Sequence, residues 1–353
     1  MEMTSRERIG RMYEHKEADR VPLFESPWGA TTARWRAEGM GEANYVEFFG
    51  LDRIRGIGAD NSPRLPVTTV EETDEYKITT NAWGATVKNW KNQASTPEMI
   101  DVTVKTPDDW REVKKRMTPA EDRVDWEGLR VNYPLWRKEG AWIRTGGWFG
   151  FDITHARMVG TERLLIQLVE DPEWIVDIWK TQIELQLGLY DQIWEAGYRF
   201  DEMYWPDDMG YKGKQFFSLR MYRELLKPIH QRAIDWAHAK GIKAYLHSCG
   251  DIRPFIPDLV AMGLDGLNPL EAKAGVDTLA VKREFGDKLF LHGGFNALLW
   301  ADVDKMEAAV RSDLPILKQN GGYMFATDHS TPSNVSLEQF RRIVSVVKEV
   351  GRY

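Results

Sequence analysis

The sequence predicts an α/β fold, a (β/α)8 or TIM barrel that forms one domain over residues 1–353. Short apolar or β-branched runs alternate with longer amphipathic runs, which is typical of parallel βα units. Polar residues or paired glycines follow almost every short run, as expected in a barrel whose active site lies at the carboxyl ends of its strands. A chain of 353 residues, 42% of them hydrophobic, is also large enough to bury such a core.

Eight segments have the composition of buried strands. They are rich in Val, Ile, Leu, Phe, Tyr and Trp, and most are bounded by Gly, Pro, Asn or Asp. In chain order, the predicted strands are residues 21–25, 53–57, 142–146, 200–205, 242–247, 266–268, 289–292 and 323–327.

Amphipathic runs between these segments predict the helices of the barrel. Two of them begin with recognisable start signals, because Asp171 precedes Pro172 and Ser336 precedes an apolar run. The predicted helices cover residues 162–169, 173–196, 219–239, 256–262, 276–284, 303–318 and 337–349.

Residues 67–90 interrupt the alternation. Segments rich in Thr, Val and Tyr flank the sequence Asn-Ala-Trp-Gly at residues 81–84, which has the residues of a turn. We therefore expect a β-hairpin inserted after the second strand, in the N-terminal third of the chain, passing over the mouth of the barrel.

Residues able to carry out chemistry follow seven of the eight predicted strands. A barrel brings the carboxyl ends of all its strands to one face, so we expect these side chains to surround one cavity. They include Glu25, Gly146, Gly147, Asp207, Asp208, His247, Cys249, Asn268, Glu271, His292, Asp328 and His329.

The most informative of these segments is His247-Ser248-Cys249-Gly250-Asp251, which contains the only cysteine of the chain. Strand periodicity places His247 and Cys249 on the same side, where an imidazole and a thiolate can bind one zinc ion. The alternative is a buried, inert thiol beside a histidine that makes a structural hydrogen bond.

Charge and hydropathy exclude several classes of function. The net charge is −7 and no block of Lys and Arg occurs, which argues against binding to nucleic acid or to a membrane surface. The N-terminal residues form no apolar signal core, and no apolar run approaches the roughly 18 residues of a membrane span. We therefore expect a cytoplasmic protein, and a lone cysteine forms no internal disulfide that would require oxidising conditions.

An ordered series of segments resembles the uroporphyrinogen decarboxylase superfamily, and within it the zinc-dependent, cobalamin-linked methyltransferases. Each segment is short, but their order along most of the chain makes the resemblance specific. The segments are WPDDMG at 205–210, SLRMY at 218–222, KP at 227–228, HSCGD at 247–251, GLDGLNP at 263–269, KREFG at 282–286, GGFN at 293–296 and GYMFATDH at 322–329.

Two comparisons separate the branches of this superfamily. Uroporphyrinogen decarboxylases carry an Arg-Gln-Ala-Gly-Arg element that holds the carboxylates of the substrate, and residues 28–38 lack it. The coenzyme M methyltransferases that the chain resembles use His-x-Cys and a distant cysteine as zinc ligands. This chain keeps the pair but has Asp328-His329-Ser330 where the distant cysteine is expected.

The resemblance implies a zinc site made of His247, Cys249 and His329, with an open fourth position. Glu271 and His292 compete with His329 for the third position. Asp208 and Asp328 are candidates for orienting the ligands.

The implied function is O-demethylation, in which a zinc-dependent methyltransferase moves a methyl group from a methoxylated, aromatic small molecule to the cobalt of a corrinoid protein. Asp208, His292 and Tyr211 are expected to position or protonate the departing oxygen. The residues expected to bind the substrate are Glu25, Trp28, Trp148, Trp205 and Asn296.

Two other functions remain open at this stage. A decarboxylase of the uroporphyrinogen decarboxylase type would need no metal. A thiol methyltransferase of the coenzyme M type would need an anion site, and the sequence near the strand ends contains no Arg or Lys cluster. The sequence also leaves open whether the chain forms a homodimer.

Overall fold

The structure, a computed structural model, describes residues 2–92 and 96–353. Its centre is a curled sheet of seven parallel strands in the order β1-β6-β7-β10-β11-β12-β13. The strands are β1 (Ile54–Gly58), β2 (Thr69–Glu72), β3 (Tyr76–Thr80), β4 (Ala85–Trp90), β5 (Glu98–Val102), β6 (Trp142–Gly146), β7 (Glu202–Pro206), β8 (Gly210–Tyr211), β9 (Lys214–Gln215), β10 (Lys243–His247), β11 (Gly266–Asn268), β12 (Phe290–His292) and β13 (Tyr323–Met324).

The predicted α/β class is confirmed, and seven of the eight predicted strand segments form the parallel sheet. The eighth, residues 21–25, is irregular. Leu23 forms an isolated parallel bridge with Phe325, and its carbonyl oxygen accepts a hydrogen bond from the Asp52 N–H at 2.9 Å. Pro22 has no N–H to continue a ladder of hydrogen bonds. This segment therefore lies between the two edges of the curled sheet without becoming a regular strand.

Helices alternate with the strands of this sheet. The predicted start signals at Asp171 and Ser336 are confirmed, since their side chains accept hydrogen bonds from the N–H groups of Trp174 and Gln339. The helices are α1 (Ser5–Tyr13), α2 (Gly29–Trp35), α3 (Tyr45–Phe49), α4 (Pro107–Lys114), α5 (Trp126–Lys138), α6 (Phe151–Arg157), α7 (Thr161–Glu170), α8 (Pro172–Glu195), α9 (Leu219–Met221), α10 (Lys227–Ala239), α11 (Ile256–Ala261), α12 (Thr278–Phe285), α13 (Val303–Leu317) and α14 (Leu337–Val350).

The insertion after β1 is an antiparallel sheet of four strands, β2-β3-β4-β5, where the sequence predicted one hairpin over residues 67–90. Strands β3 and β4 pair across the expected turn, in which the Asn81 side chain accepts a hydrogen bond from the Trp83 N–H at 2.9 Å. Strand β2 is exposed at every position, and β5 is exposed at most of its positions. Neither strand therefore has the alternating apolar pattern that marks a half-buried strand.

The core lies between the curled sheet and its helices. On β10, Ala244 and Leu246 are fully buried within the large apolar cluster, whereas Tyr245 belongs to a second, smaller cluster together with Tyr13 and Phe290. Each buried large apolar side chain contributes about 2 kcal/mol to stability. Because side chains alternate between the two faces of a strand, Tyr245 and His247 lie on the face of β10 opposite Ala244 and Leu246. This places both residues beside the site described below.

Within the described residues, no helix combines the length and the apolar character needed to cross a membrane.

Candidate metal and substrate site

The site begins where β10 ends, at the loop 247–251. Gly250 has φ of 83°, a left-handed conformation that favours glycine. A Cβ placed on Gly250 would lie 2.0 Å from the carbonyl carbon of Gly210, so the two backbones are in direct contact. The Asp251 N–H donates to the Tyr211 carbonyl oxygen at 3.1 Å and holds the loop against the β8-β9 hairpin. This packing fixes the positions of the histidine and the cysteine that precede Gly250.

His247 is oriented by Asn268 from the neighbouring strand. Its Nδ1 lies 2.5 Å from the Asn268 Oδ1, which can only accept a hydrogen bond, so Nδ1 carries the hydrogen. Nε2, the ring nitrogen free to bind a metal, faces Cys249, with its sulfur at 3.3 Å, and Asp208, with Oδ1 at 3.8 Å. An imidazole held in one tautomer by a neighbouring amide is the arrangement usual for a histidine that binds a metal.

The spacing of these two donor atoms fits zinc. Bonds of about 2.3 Å to sulfur and 2.0 Å to nitrogen in a tetrahedral site place the two ligand atoms about 3.5 Å apart. The observed separation of 3.3 Å between Cys249 Sγ and His247 Nε2 is close to this value. A soft thiolate beside an imidazole is also a donor pair that zinc prefers.

Cys249 is common to two groups of donors in the described residues. One group is Asp208, His247 and Cys249, and the other is Cys249, Glu271 and His329. Within each group the donor atoms lie within 4.8 Å of one another. The predicted set of His247, Cys249 and His329 is therefore divided between two groups that meet at the thiol.

His292, the other competitor for the third ligand position, belongs to neither group. The Glu271 carboxylate accepts the Gly250 N–H at 2.6 Å, and its other oxygen lies 4.0 Å from His329 Nε2. Glu271 thus both supports the loop and stands beside the candidate ligands.

The electrostatics of the cluster favour a bound cation. Burial raises the pKa of the Cys249 thiol well above its usual value, and the nearby Asp208 and Glu271 carboxylates raise it further. Burial likewise raises the pKa of Asp208, whose Oδ1 accepts the Cys249 N–H at 2.7 Å. Negative charge is therefore disfavoured on these groups in isolation, and a divalent cation would reverse that preference.

A cavity of about 240 Å³ lies inside the carboxyl ends of the strands, and we call it the strand-end pocket. It is smaller than the roughly 300–1,000 Å³ of pockets for drug-sized ligands, so it suits a small molecule. His247 and His329 line the pocket and also belong to the donor groups around Cys249. The other residues that line it include Phe24, Glu25, Arg144, Tyr204, Tyr245, Asn268, His292 and Asp328.

His292 lies in the pocket as a neutral imidazole. Burial, together with the nearby Arg144 guanidinium, lowers the pKa of His292 to about 3. Its Nδ1 lies 2.5 Å from the Tyr245 hydroxyl, while Nε2 has no hydrogen-bond partner among the described residues. The expectation that His292 positions or protonates a departing oxygen stays a prediction, and a neutral ring favours the positioning role.

Glu25 is also buried in the pocket wall. Its carboxylate accepts hydrogen bonds from Thr327, through the backbone N–H at 2.6 Å and the hydroxyl at 3.0 Å, and from the Thr331 hydroxyl at 3.3 Å. Burial raises the pKa of Glu25 to about 7 in spite of these bonds. Glu25 therefore exchanges its proton near neutral pH.

A Glu25→Gln variant should gain stability relative to the wild type as the pH rises. Because the pKa of Glu25 is about 7 when folded and near 4.5 when unfolded, the protonated carboxyl favours the folded state below pH 4.5. That stability is lost progressively as the pH rises through 7, up to about 3 kcal/mol. Urea unfolding of both proteins between about pH 4.5 and 8 measures the difference, and parallel stability curves would contradict the assignment.

The predicted aromatic substrate contacts are placed differently. Trp205 is fully buried on the other face of β7, against Phe149 and His230, so it does not line the pocket. Its neighbour Tyr204 lines the pocket instead, paired in register with Tyr245. The sequence did not distinguish the two because a strand buried on both faces carries apolar residues at every position.

The remaining predicted residues also lie outside the pocket lining. Trp148 packs beside Arg157, whose guanidinium carbon is 5.6 Å from the ring centroid. Trp28 and Tyr211 are exposed at 42% and 47%. The Asn296 side chain accepts the Leu298 N–H at the start of a short helical turn.

Arg144 is a pocket residue that the sequence did not predict. It is the third residue of β6, Trp-Ile-Arg-Thr-Gly, and a charged residue inside a buried strand is the signal that could have identified it.

Removing the Asn268 amide should weaken zinc binding without removing a ligand. An Asn268→Ala variant leaves His247 Nδ1 without its acceptor, and we expect the zinc affinity to fall by about 10- to 100-fold. Asn268→Asp retains an acceptor oxygen and serves as the matched control. Competition with a chromophoric chelator measures both, and equal affinities for Asn268→Ala and the wild type would contradict the orienting role.

Solved structures with a related fold include "methyltransferase from Methanosarcina mazei". It has 19% sequence identity and a TM-score of 0.64, and the match covers 99% of each chain. At this identity the likeness shows a shared fold. A psychrophilic glycoside hydrolase family 10 endo-β-1,4-xylanase has 12% identity and a TM-score of 0.38, and the match covers 67% of this chain and 91% of the xylanase. An α-N-acetylgalactosaminidase from Bifidobacterium bifidum has 12% identity and a TM-score of 0.33, and the match covers 91% of this chain and 55% of that enzyme. Both TM-scores are too low to support an argument.

A search of curated protein sequences finds no match. A sequence model of the family "Uroporphyrinogen decarboxylase (URO-D)" matches residues 154–350, which is more than half of the chain. The matched region contains strands β7 and β10 to β13 and the whole donor cluster around Cys249. The chain belongs to the uroporphyrinogen decarboxylase family.

Proposed function

We propose that this protein is a zinc-dependent methyltransferase that moves a methyl group from a methoxylated aromatic small molecule to the cobalt of a corrinoid protein. The observation that carries the proposal is the donor pair at the pocket mouth, with His247 Nε2 3.3 Å from Cys249 Sγ. Membership of a family that includes cobalamin-linked methyltransferases, and the fold shared with a methanogen methyltransferase, support the same conclusion.

His247 and Cys249 would hold the zinc, with His329 or Glu271 as the third ligand. Zinc, when bound, would act as a Lewis acid that stabilises negative charge on the oxygen losing its methyl group. A corrinoid protein docked over the pocket mouth would supply the cobalt nucleophile.

The residues of this chain bind and orient the methyl donor. Tyr204 and Tyr245 form an aromatic wall, with ring centroids 5.7 Å apart, against which a substrate ring can stack. His292 lines the same pocket, and its buried Nε2 has no hydrogen-bond partner among the described residues. Asp208, whose Oδ1 lies 3.8 Å from His247 Nε2 and accepts the Cys249 N–H, would orient the donor pair.

The proposal is tested by incubating the zinc-loaded protein with a reduced corrinoid protein and a panel of methoxylated aromatic compounds. We expect methylcobalamin to form, as followed by the cobalt absorbance spectrum, and His247→Ala to abolish the reaction. His238→Ala is the matched control, because His238 pairs with Asp265 away from the pocket. If no ether yields methylcobalamin, and a carboxylated substrate loses carbon dioxide without zinc, the chain is a decarboxylase instead.

A further inference from the structure

Among the described residues, Arg144 lines the strand-end pocket without forming an ion pair, although Glu25 and Asp328 also line it. In the part of the chain that the structure describes, its guanidinium makes no ion pair with a carboxylate and no side-chain hydrogen bond. Its guanidinium lies near two aromatic rings, with Cζ 4.3 Å from the ring centroid of Tyr204 and 5.8 Å from that of Phe24. All five N–H donors of the guanidinium are therefore available to a ligand.

The carboxylate of Glu202, on the strand next to Arg144, already accepts two hydrogen bonds. Glu202 is paired in register with Arg144, but its Oε2 accepts hydrogen bonds from the Tyr13 hydroxyl at 2.6 Å and the Trp142 indole at 2.9 Å. These bonds direct the Glu202 carboxylate toward the amino-terminal end of the sheet. The Arg144 side chain lines the strand-end pocket, and its charge opposes the increase that burial causes in the pKa of Glu202.

The register places Arg144 deeper in the sheet than the donor pair. Arg144 is level with Glu202, which pairs with Lys243 at the start of β10, whereas His247 ends the same strand. Arg144 and the Cys249 cluster thus lie at opposite ends of the pocket, with Tyr204 and Tyr245 between them.

We propose that Arg144 binds an oxyanion of the substrate, a carboxylate or a sulfonate, at the closed end of the strand-end pocket. The planar fork of a guanidinium matches two oxygens of such a group, and stacking on Tyr204 fixes its plane. The substrate is accordingly a small acid whose methyl-bearing atom lies at the opposite end, beside His247 and Cys249. The position of the methyl-bearing atom rests on the proposed function, whereas oxyanion binding by Arg144 does not.

Ligand binding tests the proposal without a corrinoid protein. The zinc-loaded wild type is titrated by calorimetry with 4-methoxybenzoate and with the neutral, nearly isosteric 4-methoxybenzamide. We expect the acid to bind at least about tenfold more tightly, the range for hydrogen bonds to charged groups. Arg144→Gln should remove this preference while keeping its zinc, and Arg144→Lys should restore part of it because the charge is retained.

Equal affinity of the wild type for the acid and the amide, or a preference that survives in Arg144→Gln, would overturn the proposal. A titration with 2-mercaptoethanesulfonate against its uncharged analogue 2-mercaptoethanol distinguishes a sulfonate from a carboxylate as the preferred anion. A loss of preference for either anion in Arg144→Gln supports the oxyanion site.

The failure of this inference differs from the failure of the proposed function. Arg144-dependent binding of acids without any methylcobalamin would sustain the oxyanion site and contradict methyl transfer. Methylcobalamin formed from neutral ethers as readily as from acids would support methyl transfer and contradict the oxyanion site.

Discussion

A Cys249→Ala variant should purify with almost no zinc, whereas the wild type should carry about one zinc ion per chain. The thiol is the atom at which both donor groups meet, so its removal leaves no complete group of three. We expect the zinc affinity to fall by at least about 100-fold, because the only sulfur ligand is lost. Elemental analysis after dialysis against a weak chelator measures the metal content directly.

The control for this prediction keeps the fold and removes a comparable residue elsewhere. His238→Ala deletes an imidazole that is hydrogen-bonded to Asp265 and should retain the full zinc content. Thermal unfolding of Cys249→Ala identifies any loss of metal that results from misfolding. A folded Cys249→Ala protein with one zinc per chain would show that the metal site lies elsewhere.

Gly250→Ala should be strongly destabilising and should also lower the zinc affinity. Gly250 has a left-handed backbone, and its added Cβ would meet the Gly210 carbonyl carbon at 2.0 Å. Because backbone atoms cannot move aside as a side chain can, the loop 247–251 must shift and carry Cys249 with it. We expect a loss of about 3 kcal/mol or more in the free energy of unfolding, measured in urea.

A Gly197→Ala variant separates the cost of a left-handed alanine from the cost of the contact with the Gly210 backbone. Gly197 also has a left-handed backbone, with φ of 95°, but nothing lies within 4 Å of its added Cβ. This variant should lose only about 1 kcal/mol, the cost of the conformation itself. Equal losses for the two variants, with unchanged zinc affinity in Gly250→Ala, would contradict the close packing of the loop.

The parts of the fold that the sequence predicted are those with strong local signals. The strand that ends at His247 is a short apolar run, and the helices after Asp171 and Ser336 begin at capping residues. The antiparallel insertion was predicted only in part, because β2 and β5 are largely exposed and lack a buried face to pattern their residues.

The site was harder to predict than the fold. The spacing of His247 and Cys249 follows from the period of a strand, and the donor pair is found as expected. The inward direction of Tyr204 and the depth of Arg144 depend on the register between β6, β7 and β10, which pairs residues about 40 to 60 positions apart. A buried parallel strand is apolar on both faces, so its own sequence does not tell which face meets the pocket.

X-ray absorption at the zinc edge tests the central claim most directly. For the zinc-loaded wild type, we predict one sulfur neighbour at about 2.3 Å and nitrogen or oxygen neighbours at about 2.0 Å. In Cys249→Ser the sulfur contribution should disappear, since this chain contains no other cysteine. A zinc spectrum with only nitrogen and oxygen neighbours, unchanged in Cys249→Ser, would contradict a metal site built on His247 and Cys249.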